Sequence, residues 1–425
     1  MTVHLTPPSD AQAAVNVAER TSPGGLSYWL VEDATVPLVA MRFGFRGAGA
    51  VQDPAAVPGV ANLAAALLDE GAGPHDAIAF QTLLEDNAIR LSFDASHDTF
   101  SGELTVVSDT VALGAELLAL ALTQPRFDAD AIERAQGQMM AGLRRELNDP
   151  EAIASRLSAR TLFPDHPYGR PVRGTLESVP QIEAQHLRDL HARALGRDRL
   201  HIAIVGDITS GDADALVDQA FGGLRETADL ADVLPTEVPT GALTQQTEAV
   251  AQTAIRFALP GLERDDPEFL TAFVMNHILG GGTFSSRLFK QVREARGLTY
   301  SVYSYITARD YAPFLGGGAS TRPERAQETL DVIRQVIDEF VSEGPTAEEL
   351  QAAKDFLIGS YPLRFDSSQK IAQQLVGMQL EDMPISYMTE RAGLIEAITV
   401  DDIRRVADRL LKAPLSLVIV GQPLS

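Results

Sequence analysis

The chain carries one short motif twice, once near its middle and once at its end. Residues 200–206 read L-H-I-A-I-V-G, and residues 415–421 read L-S-L-V-I-V-G. Each copy follows a segment with apolar residues at helical spacing, over 182–194 and over 400–411. The repeat indicates two copies of one domain, and a chain of 425 residues is too long for a single typical core.

The repeat sets the boundaries that we predict. An N-terminal segment covers 1–24, the first domain 25–224 and the second domain 249–425. Residues 225–248 are polar, contain two prolines and lack clear periodicity, so we predict a linker there.

Within the copies, short β-rich runs alternate with segments of helical periodicity. Strands are predicted over 26–30, 37–45, 89–93, 100–107, 199–205, 253–259, 298–305 and 415–420. Further helices are predicted over 59–73, 80–86, 109–122 and 128–147.

Composition excludes several classes of function. A formal charge of −23 disfavours binding to nucleic acids or anionic membranes, because phosphates would be repelled. The chain has no cysteine, so it can form neither a disulfide nor a thiolate metal site. Residues 1–19 lack the basic and apolar regions of a signal peptide, and no apolar run reaches membrane-spanning length. Localisation stays open between cytoplasm and periplasm.

The stretch from 279 to 305 predicts a helix that leads into a strand. Three glycines at 280–282 precede a segment of helical spacing, and Gly297 stands where a left-handed residue would end that helix. Arg293 is expected in the last helical turn, and Tyr300 on the strand with Leu298 and Val302 on the same face. In the alignment of the two copies, Arg293 and Tyr300 correspond to leucines at 84 and 91. Residues that the fold requires should occur in both copies. A polar pair that occurs in one copy only therefore indicates a functional role for Arg293 and Tyr300.

These features together resemble the M16 family of zinc peptidases, the pitrilysin and mitochondrial-processing-peptidase group, in its M16B type. Arg293, Gly297 and Tyr300 match the family motif R-x-x-x-G-x-x-Y, and residues 166–169 match its H-P-Y-G loop. The resemblance implies an α+β fold with two homologous domains, each a mainly antiparallel sheet flanked by helices, which face each other around a chamber. It also implies that Arg293 and Tyr300 bind the substrate backbone.

The zinc motif of the family is absent. The H-x-x-E-H motif would fall on the helix over 59–73, where Asn62, Ala65 and Ala66 replace histidine, glutamate and histidine. The third ligand would fall near Gly142 or Leu143, and Glu146 is off that register. Asn and Ala cannot supply two imidazole ligands and a general base, so we expect no metal in this chain.

The resemblance therefore implies a zinc-free subunit of a heterodimeric M16 peptidase. A partner with an intact motif would supply the zinc and the general base, while Arg293 and Tyr300 would act on the peptide substrate in trans. The substrate is expected to add as a strand to a sheet edge, for which residues 93–99 are one candidate. No catalytic residue is expected in the chain on its own.

Two alternatives stay open. An M16-like chain can be a structural or binding scaffold without a role in proteolysis. Autonomous hydrolysis through an unrecognised metal site is a weaker alternative, because no two of the eight histidines lie three or four residues apart.

Overall fold

The computed structural model describes residues 15–422 and shows two mixed sheets flanked by helices. The predicted α+β fold is confirmed, and both sheets are mainly antiparallel. Residues 1–14 of the predicted N-terminal segment lie outside the described residues. No helix within 15–422 is both long and apolar enough to cross a membrane.

The first sheet contains six strands from the first half of the chain. In chain order they are β1 (Ala18–Thr21), β2 (Ser27–Glu32), β3 (Leu38–Arg46), β4 (Arg90–Ala95), β5 (Thr99–Val107) and β6 (Leu200–Gly206). Their spatial order is β1-β2-β6-β3-β5-β4, in which only β2 and β6 run parallel. The predicted N-terminal segment is corrected at its end, because β1 pairs with β2 and belongs to the sheet.

The second sheet contains five strands from the second half. They are β7 (Leu243–Thr247), β8 (Thr253–Pro260), β9 (Thr299–Thr307), β10 (Phe314–Thr321) and β11 (Ser416–Gly421). The order β7-β11-β8-β10-β9 repeats that of the first sheet without β1, and β7 runs parallel to β11 as β2 does to β6. Strand β7 lies within the predicted linker 225–248, which must therefore end earlier. Its L-T-Q-Q-T sequence gives no apolar alternation, because an edge strand can stay largely exposed.

Helices cover both sheets. Those of the first half are α1 (Val60–Ala65), α2 (Ala77–Asp86), α3 (Val111–Thr123), α4 (Ala129–Arg145), α5 (Pro150–Leu162), α6 (Ala184–Ala194) and α7 (Ser210–Phe221). Those of the second half are α8 (Phe269–Asn276), α9 (Ala326–Glu343), α10 (Ala347–Gly359), α11 (Ser368–Leu380), α12 (Tyr387–Ala397) and α13 (Val400–Leu410). The helix predicted over 59–73 is corrected to α1, because turns begin at Ala66, and Gly71 and Gly73 beyond them have positive φ.

The two halves exchange one helix each. Helix α11 packs on the first sheet, against β3 and β6, and Ile371 and Leu375 share a buried apolar cluster with Ala203 and Val205 of β6. Helix α5 packs on the second sheet, against β8 and β11, and Ala154 shares a buried apolar cluster with Ala254 and Val418. Each sheet therefore has helices of its own half on one face and a helix of the other half on the opposite face, so that apolar burial holds the halves together.

The H-P-Y-G loop lies at the junction of the halves. Tyr168 is fully buried, and its hydroxyl donates to Asp98 at 2.6 Å and accepts from the backbone N–H of Tyr311 at 3.2 Å. The guanidinium carbon of Arg309 lies 4.7 Å from the Tyr168 ring centroid. The loop thus connects the first sheet to the chain segment that follows β9.

Candidate functional site

The helix that would bear the zinc motif has no metal ligands. Gly59 is the N-cap of α1, and its N–H donates to Asp53 at 2.7 Å. Asn62 and Ala65 lie on the helix and Ala66 is its C-cap, at the positions of the zinc motif. Within residues 15–422 no three His, Cys, Asp or Glu side chains come together as a metal site. The donor set here does not fit zinc, which needs three protein ligands and an open position for catalysis.

An ion-pair cluster occupies the region predicted for the third ligand. Glu146 accepts from Arg173 and lies 3.3 Å from a guanidinium nitrogen of Arg156. A Cβ added at Gly142 would lie 3.8 Å from the Arg173 guanidinium. Glu146, which the sequence places off the register of the third ligand, is only partly exposed and pairs with two arginines. The positive charge beside Gly142 opposes cation binding there.

The segment before Tyr300 winds more widely than an α-helix. Residues Phe289–Glu294 form a π-helical segment that includes Arg293. Gly297 has φ of 58°, and its N–H donates to the carbonyl of Arg293 at 2.9 Å. The predicted left-handed stop at Gly297 is therefore present, and it turns the chain directly into β9. Such π-helical turns are rare and are often found at functional sites.

A β-bulge decides where Tyr300 points. Thr299 pairs with Thr321 and Ser301 with Ser320, so Tyr300 is the extra residue on β9. The bulge interrupts the alternation of faces, so that Tyr300 is 77% exposed. The expectation that Tyr300 shares a face with Leu298 and Val302 is wrong, because both of these residues are buried.

The side chains of Arg293 and Tyr300 come together in an aromatic stack. The guanidinium carbon of Arg293 lies 4.7 Å from the centroid of the Tyr300 ring and 4.8 Å from that of Phe289. Phe289 meets exposed Phe284 edge to face at 5.1 Å. Sequence reasoning missed both phenylalanines. The signal was available, because Phe289 stands four residues before Arg293 and so one helical turn away.

In this stack the polar atoms of Arg293 and Tyr300 are free to hydrogen-bond to a ligand. The Phe289 and Tyr300 rings lie beside the guanidinium, and the N–H donors of an arginine lie in the guanidinium plane, where they can still form hydrogen bonds. Neither the guanidinium nor the Tyr300 hydroxyl hydrogen-bonds to another group within the described part of the chain. The arrangement can donate several hydrogen bonds to carbonyl oxygens of an extended ligand.

The chain behind β9 supports the site. Asn276 is buried and exchanges hydrogen bonds with Ser304, at 2.6 Å to its hydroxyl and 3.3 Å to its carbonyl. A Cβ at Gly280 would lie 2.4 Å from the Ser304 hydroxyl, so this position has no room for a side chain. In the first half, Leu84 and Leu91 are both buried in the core. The positions that correspond to Arg293 and Tyr300 in the first half are therefore buried and apolar.

Comparison with known proteins identifies the family to which the chain belongs. Residues 181–357 match the family model described as the peptidase M16 inactive domain. A crystal structure of a peptidase M16 inactive domain from Pseudomonas fluorescens superposes with a TM-score of 0.90 at 31% identity, and the match covers 96% of this chain and 98% of that one. The chain belongs to the peptidase M16 family.

Curated M16-related proteins match over most of their length. A protein of Helicobacter pylori named non-peptidase homolog YmxG is 27% identical over 383 residues, or 88% of this chain and 86% of that protein. An uncharacterized zinc protease of Mycobacterium tuberculosis is 27% identical over 419 residues, or 97% and 95% of the two chains. The M16 relatives thus include a protein named as a non-peptidase homolog as well as proteins named as zinc proteases.

Proposed function

We propose that this chain is the zinc-free subunit of a two-chain M16 peptidase. It binds an extended peptide through Arg293 and Tyr300, next to the zinc of a partner that has an intact H-x-x-E-H motif. The observation that carries the proposal is the exposed stack at the start of β9, whose donors lack a protein partner within residues 15–422. Tyr300 and Phe284 also leave large aromatic surface exposed beside these donors, which favours a role in binding over a role in folding.

The two side chains have different roles in this proposal. Arg293 donates charge-assisted hydrogen bonds to peptide carbonyls and sets the position of the substrate. The Tyr300 phenol donates to the oxygen that becomes negative as the partner's water attacks the peptide carbonyl. Because Tyr300 is 77% exposed in the isolated chain, its phenol becomes effective only when the partner and the peptide exclude water.

The test is hydrolysis of an internally quenched peptide by the purified chain, by a zinc-motif M16 protein from the same organism, and by their mixture. We expect activity in the mixture alone, with zinc bound to the partner. Tyr300→Phe should lower kcat by about 10²-fold with little change in KM, because it removes one donor to the oxyanion. Arg293→Ala should mainly raise KM.

Matched variants separate this role from a general effect of mutation. Arg296→Ala removes an exposed guanidinium three residues away that donates to Gln291, and Tyr303→Phe removes a hydroxyl on the same strand. Both should retain the activity of the mixture. If turnover is unchanged in Tyr300→Phe and Arg293→Ala, the proposal fails and the structural-scaffold alternative is supported instead.

A further inference from the structure

A cavity of 560 Å³ lies between the two halves, away from the Arg293–Tyr300 stack. The first half lines it with Arg42 and Ser101, and the second half with Arg264, Tyr361 and residues that follow α11. Its volume is in the range of sites that bind small molecules or side-chain groups.

The lining of this cavity is strongly basic. Four arginines contribute to it, namely Arg42, Arg264, Arg364 and Arg391, whereas Glu381 is the single acid in the lining. Glu381 binds Arg264 at 2.6 Å, and Arg42 pairs with Glu103. A basic cavity in a chain of formal charge −23 differs from its surroundings and attracts anions.

Two of the arginines have no carboxylate partner within residues 15–422. Arg391 is 5% exposed, donates to the carbonyl of Leu357 at 3.0 Å, and stacks at 4.4 Å on the Tyr361 ring. Arg364 is exposed and makes no ion pair. Burial lowers the pKa of the Arg391 guanidinium, and the charge of Arg364 adds to this effect. Burying a guanidinium without a counter-charge costs free energy, which an anion in the cavity would offset.

The cavity lies at the far end of the strand that carries Tyr300. Ile306, near the C-terminal end of β9, lines it, and Tyr300 is six residues away at the start of the same strand. At the rise of a β-strand this separation is about 20 Å. Strand β9 is an edge strand of the second sheet, with β10 as its neighbour. An extended peptide that follows β9 from Tyr300 would therefore reach the cavity about six residues from the bond that is cleaved.

We propose that this cavity binds a carboxylate side chain of the peptide, so that the chain selects substrates with Asp or Glu about six residues from the cleaved bond. The proposal rests on the proposed function for its substrate, but its test does not need the zinc partner. Arg364 and Arg391 would donate to the carboxylate, which can accept a bidentate guanidinium contact. Free phosphate shares the relevant anionic chemistry and is a separate arm of the test.

The experiment measures binding of fluorescent peptides to the isolated full chain by anisotropy. One peptide, about twelve residues long so that it spans the distance when extended, carries consecutive Glu residues at one end, and its counterpart carries Gln at the same positions. We expect the Glu peptide to bind about 10-fold more tightly, with a preference that declines as salt is added. Equal binding of both peptides, or binding of neither, overturns the proposal.

Three variants sharpen the test. Arg364→Gln should abolish the preference without affecting folding, because this side chain is exposed and unpaired within the described chain. Glu381→Gln should strengthen binding of the Glu peptide, because it frees Arg264 and removes the single acid from the lining, whereas a structural defect would weaken binding. Arg188→Gln, an exposed arginine of α6 outside the cavity, is the charge-matched control and should retain the preference.

The remaining outcomes distinguish the assignment of the cavity from the proposed function. If inorganic phosphate binds in an Arg364-dependent manner while the two peptides bind equally, the cavity is a free-anion site and the peptide proposal is wrong. If the Glu preference holds but no partner confers hydrolysis, the cavity assignment stands while the proposed function fails. If the mixture is active but cleaves Glu and Gln peptides equally, the function stands and the cavity assignment fails.

Discussion

Arg293 and Tyr300 stand seven residues apart in sequence, and the guanidinium carbon of one lies 4.7 Å from the ring centroid of the other. Two local features of the backbone bring these side chains together. The left-handed Gly297 turns the chain, and the bulge at Tyr300 rotates its ring out of the face that Leu298 and Val302 bury. The contact therefore depends on β10 as well as on local sequence.

The bulge depends on Thr299, and its loss should affect both stability and the site. The buried hydroxyl of Thr299 lies 2.7 Å from the carbonyl of Ser301, hydrogen-bonds to the carbonyl of Ser320, and accepts from the N–H of Ser301. Thr299→Val keeps the shape but removes these hydrogen bonds to the backbone. We expect a loss of about 1–3 kcal/mol in the free energy of unfolding, measured by urea denaturation.

The control for this prediction is Thr307→Val, at the other end of β9, where the threonine is only partly buried. This change should alter the free energy of unfolding by less than about 0.5 kcal/mol. If both variants lose the same stability, the bulge has no special dependence on Thr299.

The exchanged helix α5 is fixed to the second sheet by a buried charge. Glu151 on α5 pairs with Arg256 of β8, which is 8% exposed, and accepts from the hydroxyl of Ser320. Glu151→Gln removes the charge that compensates Arg256. We expect a loss of about 1–3 kcal/mol in the free energy of unfolding, between the values for exposed and for buried pairs, because the Arg256 side chain is 10% exposed and that of Glu151 is 37% exposed.

Glu133→Gln is the matched control for the exchanged helix. Glu133 is exposed on α4, so its replacement should change stability by less than about 0.5 kcal/mol. Urea titrations of both variants measure the difference. Similar curves for the two would mean that the Glu151–Arg256 pair does not hold the halves together.

The junction at Tyr168 should respond to pH through Asp98. Burial raises the pKa of this carboxyl from 3.8 to about 6, although the hydrogen bond from Tyr168 opposes the shift. Because the folded pKa is above the unfolded one, the folded state binds the proton more tightly. The stabilisation that protonated Asp98 contributes to the folded state is fully present below about pH 4 and is lost as pH rises through about 6.

Asp98→Asn removes this titration. We expect the stability of the wild-type chain relative to the variant to fall by up to about 3 kcal/mol between pH 4 and pH 7, measured by urea denaturation at several pH values. Burial lowers the pKa of His97 to about 4, which has the opposite pH dependence, and the comparison removes this background because both chains contain His97. Parallel stability profiles for the two chains would contradict the assignment.

Much of the architecture could be predicted from short-range patterns. The duplicated L-x-x-x-I-V-G segments are strands β6 and β11 in equivalent places of two similarly ordered sheets. The missing ligands at Asn62, Ala65 and Ala66 follow from residue identity alone, since no fold can make imidazoles of these side chains. The spacing of Arg293, Gly297 and Tyr300 also predicted a helix end followed by a strand, because a left-handed glycine acts locally.

Longer-range features could not be predicted in this way. Strand β7 has no apolar alternation because its order comes from hydrogen bonds to β11. Helix α1 is shorter than its apolar run because turns begin at Ala66, where the N–H of Leu67 bonds to the carbonyl of Ala64 in place of that of Leu63. The exposure of Tyr300 depends on the register between β9 and β10. Periodicity reports which face of an element is buried, but it does not identify the element that buries it.

The sequence by itself therefore determined the duplication, the replacement of the zinc-motif residues at α1, and the placement of Arg293 and Tyr300 around one helix-to-strand turn. Only the tertiary structure decided that α5 and α11 cover each other's sheets, that Tyr300 faces outward onto Arg293, and that Arg391 is buried beside a cavity without a carboxylate partner in the described chain. The physical reason is that these last features come from contacts between segments far apart in the chain, whose pairing is set by packing of the whole molecule rather than by local preference.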